Sequence, residues 1–488
     1  MGTRPMKVLV ANRGEIAVRI LRTLNEMAIP SVAVFTDVDS EALHVQLADE
    51  AISLGEPNGY LQTDRILAAC ATIGATALHP GYGFLSQNAA FVRQCEKAGV
   101  TFIGPGADAM ELLGDKSASR ALAQKVGVPV IPGAEAVEDA SAAIAAAAEV
   151  GYPVLLKAAG GGGGKGMRRV EGEDEVAEAF EAARREALNA FADDRMLVEK
   201  FIFPARHIEV QILADGKRAV ALGERECSLQ RRYQKVLEEG PASTISEETR
   251  QAVFASAVTL TEAAGYANAG TVEFLVGPDG AHYFLEVNTR LQVEHPVTES
   301  LIGLDIVRAQ IDVAHGGALP DVVPPRGHSI EARLNAEDPY AGFLPQTGEV
   351  LMLQWPTMPG VRIDSGLAPG LAISPHYDSL VAKVIVHAED REAARQRLLC
   401  ALKELTILGI TTNQRFLIDL LDSEVFKSGE TYTTSVEEMV FEAPKLPEAL
   451  AELGRQELER RSVSSVDGDG GDRYAPWESL GAFRMGEA

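Results

Sequence analysis

Alternating strand and helix patterns fill the first hundred residues and restrict the fold that they can adopt. Apolar runs at residues 7–11 and 30–35 are typical of strands, and residues 14–27 carry an apolar helical face between them. Strands that alternate with helices predict a parallel sheet with helices on both faces. The turn Asn12-Arg-Gly14 lacks the G-x-G-x-x-G pattern, so we expect no dinucleotide site after the first strand.

Charge and cysteine content exclude several classes of protein. The 45 Lys and Arg residues against 70 Asp and Glu residues give a net charge of −25. Such a field repels polyanions, so we expect neither a nucleic-acid nor an anionic-membrane partner. The four cysteines form no C-x-x-C pair, no signal peptide is apparent, and no run approaches the about 18 apolar residues of a membrane span. These features predict a soluble, cytoplasmic protein.

Composition divides the 488 residues into three domains and a tail. The predicted boundaries are 1–114 for the strand–helix domain, 115–325 for a second domain with a small α+β lobe at about 130–203, 326–446 for a mixed β domain, and 447–488 for the tail. The tail combines a charged helical pattern with a linker of low hydrophobicity.

A run of five glycines lies between two predicted strands of the small lobe. Residues 158–166 read Ala-Ala-Gly-Gly-Gly-Gly-Gly-Lys-Gly and follow Lys157. Because glycine has no side chain, its backbone N–H groups can approach an anion closely. Gly166 follows Lys165 where a Walker loop has Ser or Thr. We interpret the run as a mobile lid over phosphate groups, with a flexible surface linker as the alternative.

Polar residues occupy every second position of the segment that follows a predicted hairpin. These residues are Glu286, Asn288, Arg290, Gln292 and Glu294. If the segment is extended, all five share one face, and the hairpin would bring Glu273 close to Glu286. Two carboxylates and an amide oxygen suit Mg²⁺ or Mn²⁺ on phosphates, Arg290 suits an oxyanion, and Glu294 could accept a proton. The alternative is an ordinary solvated strand face.

The remaining candidates are ambiguous by themselves. No role follows from pattern alone for Lys116, Glu199, Lys200 or His207. The cationic run Gln230-Arg-Arg-Tyr-Gln-Lys235 fits an anion pocket or an exposed basic turn, and Arg333 is equivocal.

Taken together, these motifs resemble the biotin carboxylase family of the ATP-grasp superfamily. The resemblance spans residues 6 to about 440. The motifs that carry it are Ala11-Asn-Arg-Gly-Glu-Ile-Ala17, His79-Pro-Gly-Tyr-Gly-Phe-Leu-Ser86, Gly114-Asp-Lys116, the glycine run with its flanking lysines, Glu226-Cys-Ser-Leu-Gln-Arg-Arg232, Gln234-Lys-Val236, Glu286-Val-Asn-Thr-Arg-Leu-Gln-Val-Glu-His295 and Arg333-Leu-Asn-Ala-Glu-Asp338. It implies an ATP-grasp fold of the α/β and α+β classes, with a Rossmann-like N-terminal domain, a mobile glycine-rich lid lobe and a mixed β C-terminal domain.

The resemblance also implies a role for each matching residue. Those implied for ATP are Lys116, Lys157, Gly161, Gly162, Gly163, Gly164, Glu199, Lys200, His207, Gln230, Glu273 and Glu286. Two Mg²⁺ or Mn²⁺ ions would be bound by Glu273, Glu286 and Asn288. Bicarbonate would be held by Lys235, Arg290, Gln292 and Val293. Glu294 would be the base that deprotonates bicarbonate, and Arg333 would bind biotin and stabilise its enolate. Family members often have His where Tyr233 stands, which leaves a nucleotide role for that side chain in doubt.

The resemblance implies partners as well. The sequence has no Ala-Met-Lys-Met motif and no carboxyltransferase region, so we expect biotin on a separate carrier protein, carboxyltransferase subunits and a homodimer. Residues 475–484 resemble a segment of longer acyl-CoA carboxylase chains and are either a docking piece or a disordered remnant. Another ATP-grasp ligase, such as a carbamoyl-phosphate synthase half, and a non-catalytic ATP-binding scaffold are the alternatives. Residues 290–294 and Arg333 speak against the other ligase, and a scaffold would not require the intact set of Glu294, Arg290, Lys235 and Glu286. The sequence does not identify the acyl-CoA.

Overall fold

The computed structural model describes residues 6–158, 166–191 and 193–445, together with residues 452, 455 and 456. Gly161, Gly162, Gly163 and Gly164 of the predicted lid, and almost all of the predicted tail, lie outside the described residues. Within the described part of the chain, every helix is too short or too polar to cross a membrane.

The N-terminal region contains the predicted parallel sheet. Its strands are β1 (Val8–Val10), β2 (Ser31–Phe35), β3 (Glu50–Ser53), β4 (Ala77–His79) and β5 (Thr101–Phe102), in the order β3-β2-β1-β4-β5. Its helices are α1 (Gly14–Glu26), α2 (Leu43–Leu47), α3 (Thr63–Ile73), α4 (Ala89–Ala98) and α5 (Ala107–Gly114). The pairs within this sheet are parallel, and β1 is buried throughout, which is typical of a sheet covered on both faces.

A small lobe follows α6 (Lys116–Lys125) and has a core of its own. Its elements are β6 (Gly133–Val137), α7 (Ala140–Val150), β7 (Val154–Ala158), β8 (Arg168–Val170), α8 (Glu173–Phe191) and β9 (Met196–Lys200). The sheet order is β6-β9-β7-β8, and Val154 pairs with Val170 across the two strands that flank the glycine run. The predicted α+β lobe is therefore present, and the glycine run connects an antiparallel strand pair.

One eight-stranded antiparallel sheet joins the second and third predicted domains. Its first part comprises β10 (Arg206–Asp215), β11 (Ala219–Arg231), β12 (Gln234–Gly240), β13 (Ala267–Val276) and β14 (His282–Asn288), together with helices α9 (Glu247–Ala263), α10 (His295–Ile302) and α11 (Ile306–Ala314). The sheet order is β14-β13-β10-β11-β12 and continues into three strands of the C-terminal region, described next.

The described C-terminal region contains three α-helices in addition to the strands expected of a mixed β domain. Its strands are β15 (His328–Asn335), β16 (Glu337–Asp338), β17 (Leu344–Pro345), β18 (Gly348–Glu349), β19 (Met352–Gln354), β20 (Val361–Ser365), β21 (Ala372–Ile373), β22 (Leu380–Ala388) and β23 (Thr406–Leu408), and its helices are α12 (Arg391–Glu404), α13 (Gln414–Leu421) and α14 (Glu424–Ser428). The large sheet ends in the order β12-β15-β22-β20. Buried leucines of α12 and α13, including Leu398, Leu402 and Leu420, pack with β15 and β22 in one core. This apolar spacing identifies two helices that a mixed β description overlooks.

Candidate active site

The β13–β14 hairpin places two carboxylates directly opposite each other. Glu273 pairs with Glu286, and Thr271 pairs with Asn288. Residues that pair across antiparallel strands point to the same face, so the predicted approach of Glu273 and Glu286 is confirmed. The Nδ2 of Asn288 donates a hydrogen bond of 2.9 Å to Oε1 of Glu273. Two acidic groups and one amide thus share one end of the large sheet.

The condition for a shared face, an extended segment over residues 286–294, holds only as far as Asn288. Strand β14 ends at Asn288, residues 289–294 form a loop, and α10 begins at His295. The loop nevertheless returns its polar groups to the hairpin. Arg290 donates to Oδ1 of Asn288 at 3.0 Å and to Oε1 of Gln292 at 2.8 Å. Gln292 in turn donates to Oε1 of Glu273 at 2.9 Å. Side-chain hydrogen bonds, not strand alternation, therefore bring these groups together.

The ammonium group of Lys235 lies at the centre of the site. It donates to Oε1 of Glu273 at 2.8 Å, to Oε1 of Glu294 at 2.7 Å and to Oε2 of Glu209. Burial lowers the pKa of Lys235, but the three carboxylates outweigh burial and raise that pKa well above its usual value. Lys235 therefore stays charged and links the acidic hairpin to Glu294.

Glu294 lies between two cations and is fully buried. Its Oε1 accepts from Lys235, and its Oε2 accepts from Nη2 of Arg333 at 2.9 Å. Burial raises the pKa of Glu294, but Lys235 and Arg333 more than offset this effect and hold the pKa well below its usual range. Glu294 is consequently ionised at neutral pH and is a weak base while both pairs are intact. Arg333 is held on its other side by Glu238.

Sequence reasoning missed two charged residues behind Lys235. Glu209 and Arg225 are fully buried, and Nε of Arg225 donates to Oε1 of Glu209. Arg225 also donates to Oγ1 of Thr298 in α10 at 2.7 Å. Glu209 pairs with Glu273 in the register of β10 and β13. The sequence contains a pattern that could have identified Glu209, because His207, Glu209 and Gln211 alternate along β10 as the hairpin residues do.

His207 and Gln230 lie beside the same acidic hairpin. The Nε2 of His207 is 3.1 Å from Oε2 of Glu273, and Nδ1 of His207 is 2.8 Å from Nε2 of Gln230. Side-chain atoms of His207, Glu209 and Glu273 approach one another closely enough for a metal ion. However, Lys235 already donates to both of these carboxylates, so the ammonium neutralises this cluster. Glu286 lies on the other side of Glu273, on β14, and has no ion pair with Lys235.

Four further candidates belong to the lobe or to its connection. Lys157 and Glu199 form an ion pair, and Arg120 lies 3.4 Å from the other oxygen of Glu199. Burial lowers the pKa of Lys116, while the charges of Glu286 and Glu199 oppose that effect. Lys116 therefore lies within electrostatic reach of both the hairpin and the lobe. The ammonium of Lys200 donates to the carbonyls of residues 151 and 152 at 2.9 and 2.8 Å.

The cationic run 230–235 consists of an exposed turn followed by a lysine that enters the site. Arg232 and Tyr233 have positive φ angles of 49° and 65° and form the turn between β11 and β12. Tyr233 is exposed, whereas Lys235, two residues later, points into the site. The turn is thus an exposed basic turn, and the strand that follows it directs Lys235 towards Glu209, Glu273 and Glu294.

Profiles of known families cover nearly the whole described chain. Residues 4–110 match the biotin carboxylase N-terminal domain, residues 115–322 match the ATP-binding domain of the carbamoyl-phosphate synthase L chain, and residues 331–438 match the biotin carboxylase C-terminal domain. The chain belongs to the biotin carboxylase family. It therefore has the predicted ATP-grasp fold, and it is an ATP-dependent ligase with the activity of a biotin carboxylase.

Individual relatives agree with this assignment. The biotin carboxylase of Nostoc sp. is 47 % identical over 441 residues, which are 89 % of this chain and 99 % of the relative. The mitochondrial propionyl-CoA carboxylase alpha chain of Caenorhabditis briggsae is also 47 % identical, but this chain spans only 60 % of its length. The biotin carboxylase domain dimer of Hydrogenobacter thermophilus 2-oxoglutarate carboxylase, solved with MgADP, ADP and bicarbonate, is 43 % identical with a TM-score of 0.85. The comparison covers 88 % of this chain and 97 % of that one.

Proposed function

We propose that the chain carboxylates biotin on a carrier protein, using ATP and bicarbonate, as the first half-reaction of an acyl-CoA carboxylase complex. The observation that carries this proposal is the position of ionised Glu294 between Lys235 and Arg333, next to the Glu273–Glu286 pair. A base, two anion-binding cations and a divalent-cation site are the groups that the transfer of a phosphoryl group to bicarbonate requires.

The hairpin is the proposed metal site. Glu273, Glu286 and Asn288 offer the hard oxygen ligands that Mg²⁺ and Mn²⁺ prefer, and two facing carboxylates, of which Glu273 is buried, favour such a cation. When bound, the two ions would neutralise charge on the phosphates of ATP. The residues proposed to hold the nucleotide are Lys116, Lys157, Glu199, Lys200, His207 and Gln230, with Gly161, Gly162, Gly163 and Gly164 covering the phosphates.

Bicarbonate is proposed to bind between Lys235 and Arg290, with Gln292 and Val293 completing the slot. The two long side chains supply positive charge, and Gln292 and the backbone of Val293 supply hydrogen-bond donors. An anion that competes for Lys235 weakens the ion pair with Glu294. Because that ion pair holds the pKa of Glu294 low, bicarbonate binding raises the basicity of the carboxylate at the moment when it must accept a proton.

The proposed reaction converts ATP, bicarbonate and biotin into ADP, phosphate and carboxybiotin. Glu294 takes the proton of bicarbonate, and the resulting oxyanion attacks the γ-phosphorus while ADP leaves. The carboxyphosphate that forms breaks down to CO₂ and phosphate. Phosphate takes the ureido proton of biotin, and the biotin enolate, stabilised by Arg333, adds to CO₂. Arg333 suits this role because its guanidinium already binds an oxyanion, the carboxylate of Glu294.

The proposal extends to partners and compartment. The carrier protein and carboxyltransferase subunits are expected because several relatives are named as chains of larger carboxylases. A homodimer is expected because the related Hydrogenobacter domain is described as a dimer. Cytoplasmic location is proposed because the four cysteines are unpaired, and Cys70, Cys95 and Cys227 are buried.

A product assay tests the proposal. Purified enzyme with MgATP, bicarbonate and free biotin should release ADP and form carboxybiotin, and ADP release should depend on bicarbonate. Substituting Lys403, an exposed residue of α12, with Met provides a matched control that should leave both products unchanged. Bicarbonate-independent ADP release, or formation of carbamoyl phosphate when ammonia is supplied, would contradict the assignment.

A further inference from the structure

A buried lysine outside the site described above contacts the active-site loop. Lys383 lies in β22, its side chain is fully buried, and its Nζ donates to the backbone carbonyl of Val293 at 2.9 Å. Val293 immediately precedes Glu294 and is separated from Lys383 by 90 residues of sequence. The contact therefore joins the C-terminal part of the large sheet to the loop between β14 and α10.

The register of the sheet explains why Lys383 reaches this loop. Lys383 pairs with Arg333 on one neighbouring strand and with Asp364 on the other. Arg333 and Lys383 therefore share one face, where Arg333 binds the side chain of Glu294 and Lys383 binds the carbonyl of the preceding residue. Two neighbouring residues of the sheet thus hold two consecutive residues of the loop.

The hydrogen bond to Val293 is the shortest polar contact of Lys383 among the described residues, while the charges of Glu15, Glu331 and Asp364 also act on its ammonium. Its ammonium is 2.9 Å from that carbonyl, 3.3 Å from Oε2 of Glu15 and 3.8 Å from Oδ2 of Asp364. Burial raises the pKa of Glu15 to about 7 despite the nearby cation, so Glu15 is only partly ionised at neutral pH. Asp364 is bound more closely by Arg362, at 2.8 Å.

A fully buried lysine beside a second cation lowers the free energy of unfolding unless its contacts compensate. Two cations directly opposite each other on neighbouring strands repel, and a fully buried ammonium loses its hydration. An apolar side chain of similar length would fill the same space without either penalty. Such a replacement would remove the cation beside Glu15, Glu331 and Asp364, and it cannot reproduce the charge-assisted hydrogen bond to Val293.

The geometry points to Lys383 as a positioning residue that fixes the Val293–Glu294 peptide in the orientation required for bicarbonate. A trans peptide is planar, and its carbonyl and N–H point in opposite directions. The cis peptides among the described residues do not include this one. Holding the Val293 carbonyl therefore fixes the direction of the Glu294 N–H and the backbone from which the base projects. This inference rests on the proposed function.

The test uses three forms of the full-length enzyme: wild type, Lys383→Met and the double variant Lys383→Met/Glu15→Gln. Steady-state ADP release is measured against bicarbonate and, separately, against ATP, and thermal unfolding is recorded for each form. Lys383→Met should lower kcat/KM for bicarbonate about tenfold or more, the usual effect of losing a hydrogen bond to a charged group. KM for ATP should stay within about twofold, since Lys383 contacts the loop between β14 and α10, which is proposed to bind bicarbonate.

The double variant separates positioning from charge balance. If the defect of Lys383→Met arose from an unpaired buried Glu15, removing that charge should restore bicarbonate use, which would overturn the inference. If the lost hydrogen bond is the cause, the double variant stays impaired, as we expect. Should Lys383→Met fail to fold, the charge-balanced double variant carries the same comparison. A KM for ATP that rises as much as the KM for bicarbonate, or unchanged bicarbonate use, would also refute the inference. A wild type without bicarbonate-dependent ADP release would instead refute the proposed function.

Discussion

Replacing Glu294 with Gln tests the proposed base without dismantling its surroundings. Gln keeps the shape of the side chain but cannot take a proton from bicarbonate. Lys235 retains Glu209 and Glu273 as partners, and Arg333 retains Glu238. No cation of the cluster is therefore left without a carboxylate, and the cost to the free energy of unfolding should be about 1–3 kcal/mol, below the loss expected when a buried charge is left unpaired.

The effect on turnover should be much larger than the effect on folding. A positioned general base contributes about 10²- to 10⁴-fold, so bicarbonate-dependent ADP release by Glu294→Gln should fall by at least about a hundredfold. The affinity for MgATP should remain within about threefold, since Glu294 is not among the proposed metal ligands. Initial rates with and without bicarbonate, together with ATP binding by calorimetry, measure both quantities. A variant that retains more than about a tenth of the bicarbonate-dependent rate would refute the assignment of Glu294 as the base.

Three further predictions concern other parts of the molecule. Arg333→Ala should reduce biotin carboxylation about tenfold more than bicarbonate-dependent ADP release, because its proposed role begins after carboxyphosphate forms; equal losses in a paired assay would contradict that role. Glu286→Gln should raise the Mg²⁺ concentration for half-maximal ADP release about tenfold or more, and an unchanged metal titration would exclude it as a ligand. Burial lowers the pKa of His44 to about 4, so the folded protein binds this proton less readily than the unfolded chain. Above pH about 6.5, neutral His44 therefore contributes up to about 3 kcal/mol to the free energy of unfolding. That contribution is lost as the pH falls towards 4. His44→Gln should flatten the dependence of the unfolding temperature on pH between about 6.5 and 4. An unaltered slope would contradict the lowered pKa of His44 in the folded protein.

Local sequence patterns predicted those parts of the site that lie within one hairpin. The β13–β14 pair follows from two apolar runs around a glycine turn, and its register places Glu273 opposite Glu286. The strand–helix alternation of the first hundred residues likewise predicted the parallel sheet. In both cases hydrophobic periodicity identifies the strands, and the hairpin pairs strands that are neighbours in sequence; the pairing of β1 with β4 in the parallel sheet, by contrast, joins residues 69 positions apart and is not contained in that pattern.

Contacts between distant segments could not be predicted in this way. Arg333 meets Glu238 across 95 residues and Glu294 across 39, and these contacts depend on the register of β12, β15 and β22. Alternation also failed at Asn288, where the chain leaves the strand to begin α10 and hydrogen bonds from Arg290 and Gln292 set the geometry instead. A two-residue period identifies polar groups but does not show where a strand ends.

The transfer of an oxygen atom from bicarbonate to phosphate is the central step and can be followed directly. With ¹⁸O-labelled bicarbonate and MgATP, the enzyme should release phosphate that contains one ¹⁸O atom per turnover, because the attacking oxygen stays on phosphorus when carboxyphosphate breaks down. Mass spectrometry of phosphate from the first turnovers, before the label exchanges with water, measures this transfer. Phosphate free of ¹⁸O during bicarbonate-dependent turnover would contradict attack by bicarbonate and the role given to Glu294.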